Sequence, residues 1–404
     1  MTHPADDLER RFLATIAANL TYWRAQTAQL SQSQFGALDA EWPNIVRAVR
    51  YGVSVPEFWV ATTGLAVQVH EYVEARARWF GWIELAQALA ERVDAPDPVI
   101  ACRLLDQVGQ LYRLEWRLPE ALAMHERAEA MAIEAGALDD LARIHFGLSE
   151  DFRAARRPGE AETYGQLALR AFEQAAGAPA RLAAVLNGLA LTAHLRGDYP
   201  IAEARFAAAA EHYRKLDRPT DLARVLTNAG ATLEAAGRPN EAMALFAQAR
   251  AWHERAGNEL ELVKLEQWVG TLFFNRDQLD EAEAAFRRAD APLLNQPGFI
   301  GFRAVNENNL GNVRLKQGRL AEAAVLLRKS SALWRQINQP VQLANTIGTL
   351  GEVALGLDHP DEASAAFSEA VALLAGFPDD AWARKLSDKF AALLSQIPRD
   401  PPVG

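Results

Sequence analysis

Apolar residues never run far in this chain. Short hydrophobic stretches dominated by Ala and Leu are broken every few positions by charge, and runs of β-branched residues are scarce. That texture predicts helices with one buried stripe rather than strands. Laid over it is a column of small residues, Gly109, Ser149, Ala190, Gly230, Gly270, Gly311 and Gly351, spaced 40, 41, 40, 40, 41 and 40 positions apart. Twelve positions after each stands an alanine, from Ala121 through Ala161, Ala202, Ala242, Ala282 and Ala323 to Ala363. Nineteen after each stands another, with Ser330 taking that place in the sixth unit. Helices that cross about 8–10 Å apart need small side chains where they touch. A larger partner sixteen positions on fills the gap beside the contact, as Phe206, Phe246, Phe286, Leu327 and Phe367 do.

The turn inside each unit is also written in the chain. Gly197, Gly237 and Gly318 fall seven positions after the small residue, where a left-handed C-cap is wanted. Pro119, Pro158, Pro200, Pro239 and Pro360 follow within two or three positions and suit the first turn of a second helix. Glu120, Glu160, Glu241, Glu281, Glu322 and Glu362 place negative charge in that turn, which favours the helix dipole. Each unit is therefore helix A, a tight turn, helix B and a loop. Seven regular units are expected over 99–378, after degenerate helical repeats over 1–98 in which Val69, Gly81 and Ala88 keep part of the pattern. A capping helix is expected over 379–397 and a disordered tail over 398–404. The Pro-rich stretch 93–98 reads as a connector, and 293–301 as a longer loop that is either a plain insertion or a partner contact.

A small residue, then Gly, Ala, an aromatic and Ala resembles the tetratricopeptide repeat, whose usual length is about 34 residues. The resemblance covers 100–375 and implies an all-α fold, a right-handed superhelical solenoid of antiparallel helix pairs. A second resemblance lies upstream. The stretch 37–51 and the residues Arg76, Trp79, Gly81, Trp82, Ile83, Glu84 and Ala86 resemble the helical sensor region of STAND-class signalling ATPases. That kinship implies a sensor role in signal transduction, as an excised domain or a free-standing relative. The P-loop of the family's nucleotide-binding module has no counterpart in this sequence.

Charge and chemistry narrow the picture. A formal net charge of −10 argues against nonspecific nucleic-acid binding. No stretch has the length of a membrane span, and Cys102 is the only cysteine, so a cytoplasmic setting is expected. None of the eight histidines forms an H-E-x-x-H pair, so neither a metal nor another cofactor is expected. The segment Gly147–Asp151 half-matches a nucleophile elbow, but Ser149 belongs to the small-residue column, so no catalytic residue is expected. Trp268 and several other tryptophans read as inter-helix packing.

In tetratricopeptide arrays helix A lines the concave face, through positions six and three before the small residue and one, four and five after it. Carried onto this sequence, that register selects Arg103, Arg113, Arg143, Arg153, Asn187, Arg224, Lys264, Asn308, Asn312 and Asn345 as candidate ligand contacts. The four arginines in two consecutive units either receive an acidic ligand or pair with Asp106, Glu150 and neighbouring acids. Asn308 and Asn312 suit a peptide backbone. The Lys and Asn pattern of chaperone-tail binders is not met, because Asn308 replaces the Lys and Thr349 the Asn. The expected partner is a protein or peptide segment, with no nucleic acid and no membrane. A small-molecule inducer sensor of a transcriptional regulator and a repeat-based regulatory enzyme are the alternatives.

Overall fold

The computed structural model describes residues 4–28, 35–76, 78–79, 81–91, 97–174, 179–293, 299–377 and 381–397. Most of the connector at 93–98, most of the loop at 293–301 and the whole tail from 398 lie outside them. Packing divides the chain into two units, Met1–Ala154 with Glu160–Ala178, and Ala155–Gly159 with Pro179–Gly404.

Unit 1 holds α1 (Pro4–Thr27), α2 (Phe35–Val53), α3 (Trp59–Gln68), α4 (His70–Ala75), α5 (Trp82–Ala90), α6 (Pro98–Leu114), α7 (Leu118–Glu134), α8 (Leu138–Ala154) and all but the first two residues of α9 (Pro158–Gln174). Unit 2 holds α10 (Pro179–Arg196), α11 (Tyr199–Lys215), α12 (Pro219–Ala235), α13 (Pro239–Ala256), α14 (Glu259–Asn275) and α15 (Leu279–Leu293). It continues with α16 (Ile300–Lys316), α17 (Leu320–Gln336), α18 (Pro340–Gly356), α19 (Pro360–Leu374) and α20 (Ala381–Gln396). The fold is all-α, a solenoid of paired helices. Among the described residues no helix is long and apolar enough to cross a membrane.

At the glycines of the small-residue column helix A receives a side chain from its own helix B. A Cβ added at Gly270 would lie 2.5 Å from the Phe286 ring, and one at Gly230 would lie 2.6 Å from Phe246. Gly351 and Gly311 stand in the same relation to Phe367 and Leu327, at 2.7 Å. All four large partners are buried. Close helix approach and the large residue that exploits it are thus one device, repeated at a period of about forty.

The turns repeat as faithfully. Seven positions after every small residue the backbone is left-handed, at Trp116, Arg156, Gly197, Gly237, Asp277, Gly318 and Asp358. Gly197 N–H donates to His194 O at 2.9 Å and Asp198 N–H to Ala193 O at 2.9 Å, the paired bonds of a Schellman cap. A second left-handed column, Gly136, Asp217, Gly257 and Asn338, follows the B helices twenty-seven positions after the small residue.

The N-terminal part of unit 1 is held by aromatic residues. Trp59, Trp79 and Tyr72 are fully buried, Trp59 Nε1–H donates to Leu89 O at 2.9 Å, and the Tyr72 hydroxyl donates to Asp39 at 2.9 Å. Gly81, at φ 72°, is the N-cap of α5, and Trp42 tilts over Trp82 at 5.0 Å. At the far end of unit 2, Phe390 of α20 is fully buried and stacks on Phe367 at 6.0 Å.

Candidate binding face

The ten sequence-selected residues divide between the units. Arg103 and Arg113 stand on α6 and Arg143 and Arg153 on α8, all in unit 1; the other six lie on α10, α12, α14, α16 and α18 of unit 2.

The four arginines are engaged by carboxylates of their own unit. Arg103 forks onto Asp140, with Nε at 2.8 Å and Nη2 at 3.0 Å. Arg143 bonds Asp106 through Nε at 2.7 Å and reaches Asp140 at 2.9 Å. Arg113 donates to Asp151 at 2.7 Å, and Arg153 pairs with Glu150 at 2.6 Å. Asp106 and Asp151 are fully buried, so their charges require these partners. Burial works against the charge of Arg113, yet Asp151 and Glu150 more than offset it and hold the guanidinium above its ordinary range. The same opposition, with Asp106 as the main partner, raises Arg143.

Between the two buried aspartates sits His125 of α7, a residue the sequence reading left out of the site. Its Nδ1 lies 2.5 Å from Asp151 and its Nε2 lies 3.6 Å from Asp106. The ring fills space that only glycine leaves open, since a Cβ at Gly109 or at Gly147 would stand 2.6 Å from it. The signal was in the register: His125 occupies the sixteenth position after Gly109, where four other units carry Phe, one carries Leu and one carries Gly165. Nearby, Cys102 is buried and its thiol is pushed up to about 11 by burial and then by Asp140. Ser149 is buried inside α8 with its hydroxyl bonded to Ala161 O at 2.7 Å, a packing role rather than a nucleophile's. Among the described residues no group of three His, Cys, Asp or Glu is placed to hold a metal ion.

In unit 2 the A helices bridge one another through polar side chains about one repeat apart. Asn228 donates to Asn187 at 3.1 Å, His194 bonds Thr232 at 3.0 Å, and Gln267 donates to Phe302 O at 3.0 Å. Arg224 pairs with Asp221 at 2.8 Å; Lys264 pairs with Glu261 at 2.8 Å and lies over the Phe302 ring. Asn308 corrects the expectation that it faces a ligand. It is buried and accepts a bond from the Thr346 hydroxyl at 3.0 Å, so it fastens α16 to α18. Asn312 and Asn345 differ: both are half-buried, and among the described residues their side-chain amides have no partner. Trp268 also departs from the packing expectation, for it is 37% exposed on α14.

A family model described as tetratricopeptide repeat matches residues 181–254 and 302–375. Among solved structures, the chain is similar to a Rap protein complexed with Competence and Sporulation Factor, at 15% identity and a TM-score of 0.62, covering 94% of this chain and 99% of that one. It is similar to the apo form of the quorum sensor NprR from B. thuringiensis, at 15% identity and TM-score 0.56, covering 89% and 99%. It is also similar to aspartyl phosphate phosphatase F from Bacillus subtilis, at 14% identity and TM-score 0.51, covering 89% and 93%. At these identities the likeness is one of fold. Among curated protein sequences none matches this one.

Proposed function

We propose that this tetratricopeptide-repeat chain is a non-catalytic recognition scaffold that holds a peptide or protein segment against the A-helix face of unit 2. The observation that carries the reading is the contrast on that face: Asn187, Asn228, Gln267 and Asn308 are tied to a neighbouring repeat and Arg224 and Lys264 to acids of their own helices, whereas Asn312 and Asn345 are half-buried with amides unspent among the described residues. A carboxamide offers both a donor and an acceptor, which suits the alternating N–H and C=O groups of an extended backbone. Trp268 on α14 adds the kind of exposed aromatic that anchors protein interfaces. The fold relative described as a Rap protein is itself complexed with Competence and Sporulation Factor, which is consistent with this use of the architecture.

Acidity of the ligand was inferred from the four arginines. With those engaged by Asp and Glu of their own unit, recognition is assigned to the unit 2 amides instead. A sensor role in a STAND-type signalling protein is part of the proposal and rests only on the N-terminal sequence resemblance, the stretch 37–51 and the motif around Arg76, Trp79, Gly81 and Trp82.

The test is a peptide-display selection on the full chain, followed by anisotropy titration of enriched peptides against wild type and Asn312→Ala/Asn345→Ala. Two lost amide bonds at about 1 kcal/mol each should weaken binding roughly tenfold or more, with the thermal melt unchanged. Unaltered affinity in the double variant would move recognition off this face. A selection that enriches nothing would end the peptide reading.

A further inference from the structure

A second site opens between α13, α14 and α15, on residues that the A-helix face does not use. It is a cleft of about 280 Å3. Its least exposed lining is apolar, with Phe246 and Val269 almost fully buried and Phe273 beside them. Ala247 and Ala284 form its exposed edges, and Arg250 and Arg288 bring guanidinium groups into the lining.

The two arginines share one buried acid. Glu266 of α14 stands at a position where Leu105, Leu186, Leu226 and Ile347 serve four other units and His145 and Glu307 the remaining two, and it is only 5% exposed. A carboxylate in place of a leucine is costly without partners. Arg250 reaches its Oε1 through Nη2 at 2.6 Å, while Arg288 reaches Oε2 through Nε at 3.0 Å and Nη2 at 2.9 Å. At this end of the cleft two guanidinium groups face one carboxylate, and the other acid of the lining, Glu281, stands further along α15. The donors are not exhausted either. Arg250 and Arg288 each keep an Nη1 group unused among the described residues. An unsatisfied, charged donor beside an apolar cleft is suited to an anion with a hydrocarbon body.

Two further features narrow the class. The volume lies just under the range of drug-sized pockets, which suits a ligand of roughly ten heavy atoms. Glu281, seven residues before Arg288 on α15, also lines the cleft, about 10 Å from it along the helix. A second anionic group at that distance would meet a like charge.

We propose that this cleft binds a small monocarboxylic acid, with its carboxylate on Arg250 and Arg288 and its alkyl or aryl body on Phe246, Val269 and Phe273. Isothermal titration of the full chain with octanoate, 3-phenylpropanoate, 1-octanol and suberate tests it. One saturable site is expected for at least one of the two monoacids, roughly tenfold or more tighter than for octanol, because a charge-assisted bond is lost in the alcohol. Suberate should bind more weakly than octanoate. Arg250→Met should reduce the acid to the affinity of the alcohol, while Arg288 still neutralises Glu266. Ala247→Phe, which blocks the cleft from its edge and leaves the ion trio alone, should abolish binding with the melting temperature kept. No saturable binding of either acid, equal affinity for octanol or suberate, or undiminished binding in Ala247→Phe would overturn the assignment.

Discussion

Asp358 ends α18 at φ 61°, the place where Gly197, Gly237 and Gly318 end their helices. The cap bonds are intact, with Asp358 N–H on Leu355 O at 3.1 Å and His359 N–H on Ala354 O at 2.9 Å, so only the Cβ is out of place. A side chain in the left-handed region costs about 1–2 kcal/mol, less for Asp than for most residues, and glycine gives back part of that as unfolded-chain entropy. Asp358→Gly should therefore stabilise the protein by about 0.5–1 kcal/mol in urea titrations, and Gly237→Ala should destabilise it by about 1 kcal/mol. A loss of stability in Asp358→Gly would contradict the strain account. The same comparison shows what could be read in advance. Three glycines revealed the turn. Trp116, Arg156, Asp277 and Asp358 adopt the same backbone without a residue type that announces it, so their φ follows from the fixed repeat geometry rather than from local preference.

Among the helices of unit 1, the sixteenth-position side chain of α7 departs from the apolar pattern. Phe246, Phe286 and Phe367 seat an apolar ring on a glycine, whereas His125 seats a polar ring on two glycines and between two buried aspartates. His125→Phe would keep the shape but remove the donor to Asp151, leaving a buried carboxylate short of a partner. The expected cost is about 2–4 kcal/mol in chemical unfolding, with the helical signal of the native state retained. A neutral result would mean the aspartates are satisfied by Arg113 and Arg143 alone. Register was enough to place His125 in the core column. What it could not provide was the convergence of Asp106 and Asp151, which come from α6 and α8 and meet only where those helices cross. Asn308 was misplaced for a related reason: its position in the register was read correctly, but the Thr346 hydroxyl that claims it belongs to the next A helix.

At the scale of the whole chain, stability in a repeat array is close to a sum of units and their junctions, so one titrating junction can move the entire melt. His253 of α13 is such a place. It is fully buried at a position filled elsewhere by Phe172, Tyr213, Trp334 and Leu374, and among the described residues neither ring nitrogen has a hydrogen-bond partner. Burial is the main cause that holds it below its ordinary value, Arg224 and Lys264 act in the same direction, and Glu261 opposes them. The neutral imidazole is thus favoured in the native state, while the unfolded chain takes up a proton near pH 6.5. The folded state then binds fewer protons than the unfolded one, and stability falls with pH below about 6.5 until the depressed native value is reached. Thermal melts from pH 7.5 to 5.5 should show a declining midpoint in wild type. In His253→Phe, whose ring matches the residues of the other units, the decline should be shallower. Parallel pH profiles for the two proteins would show that the acid sensitivity arises at other junctions.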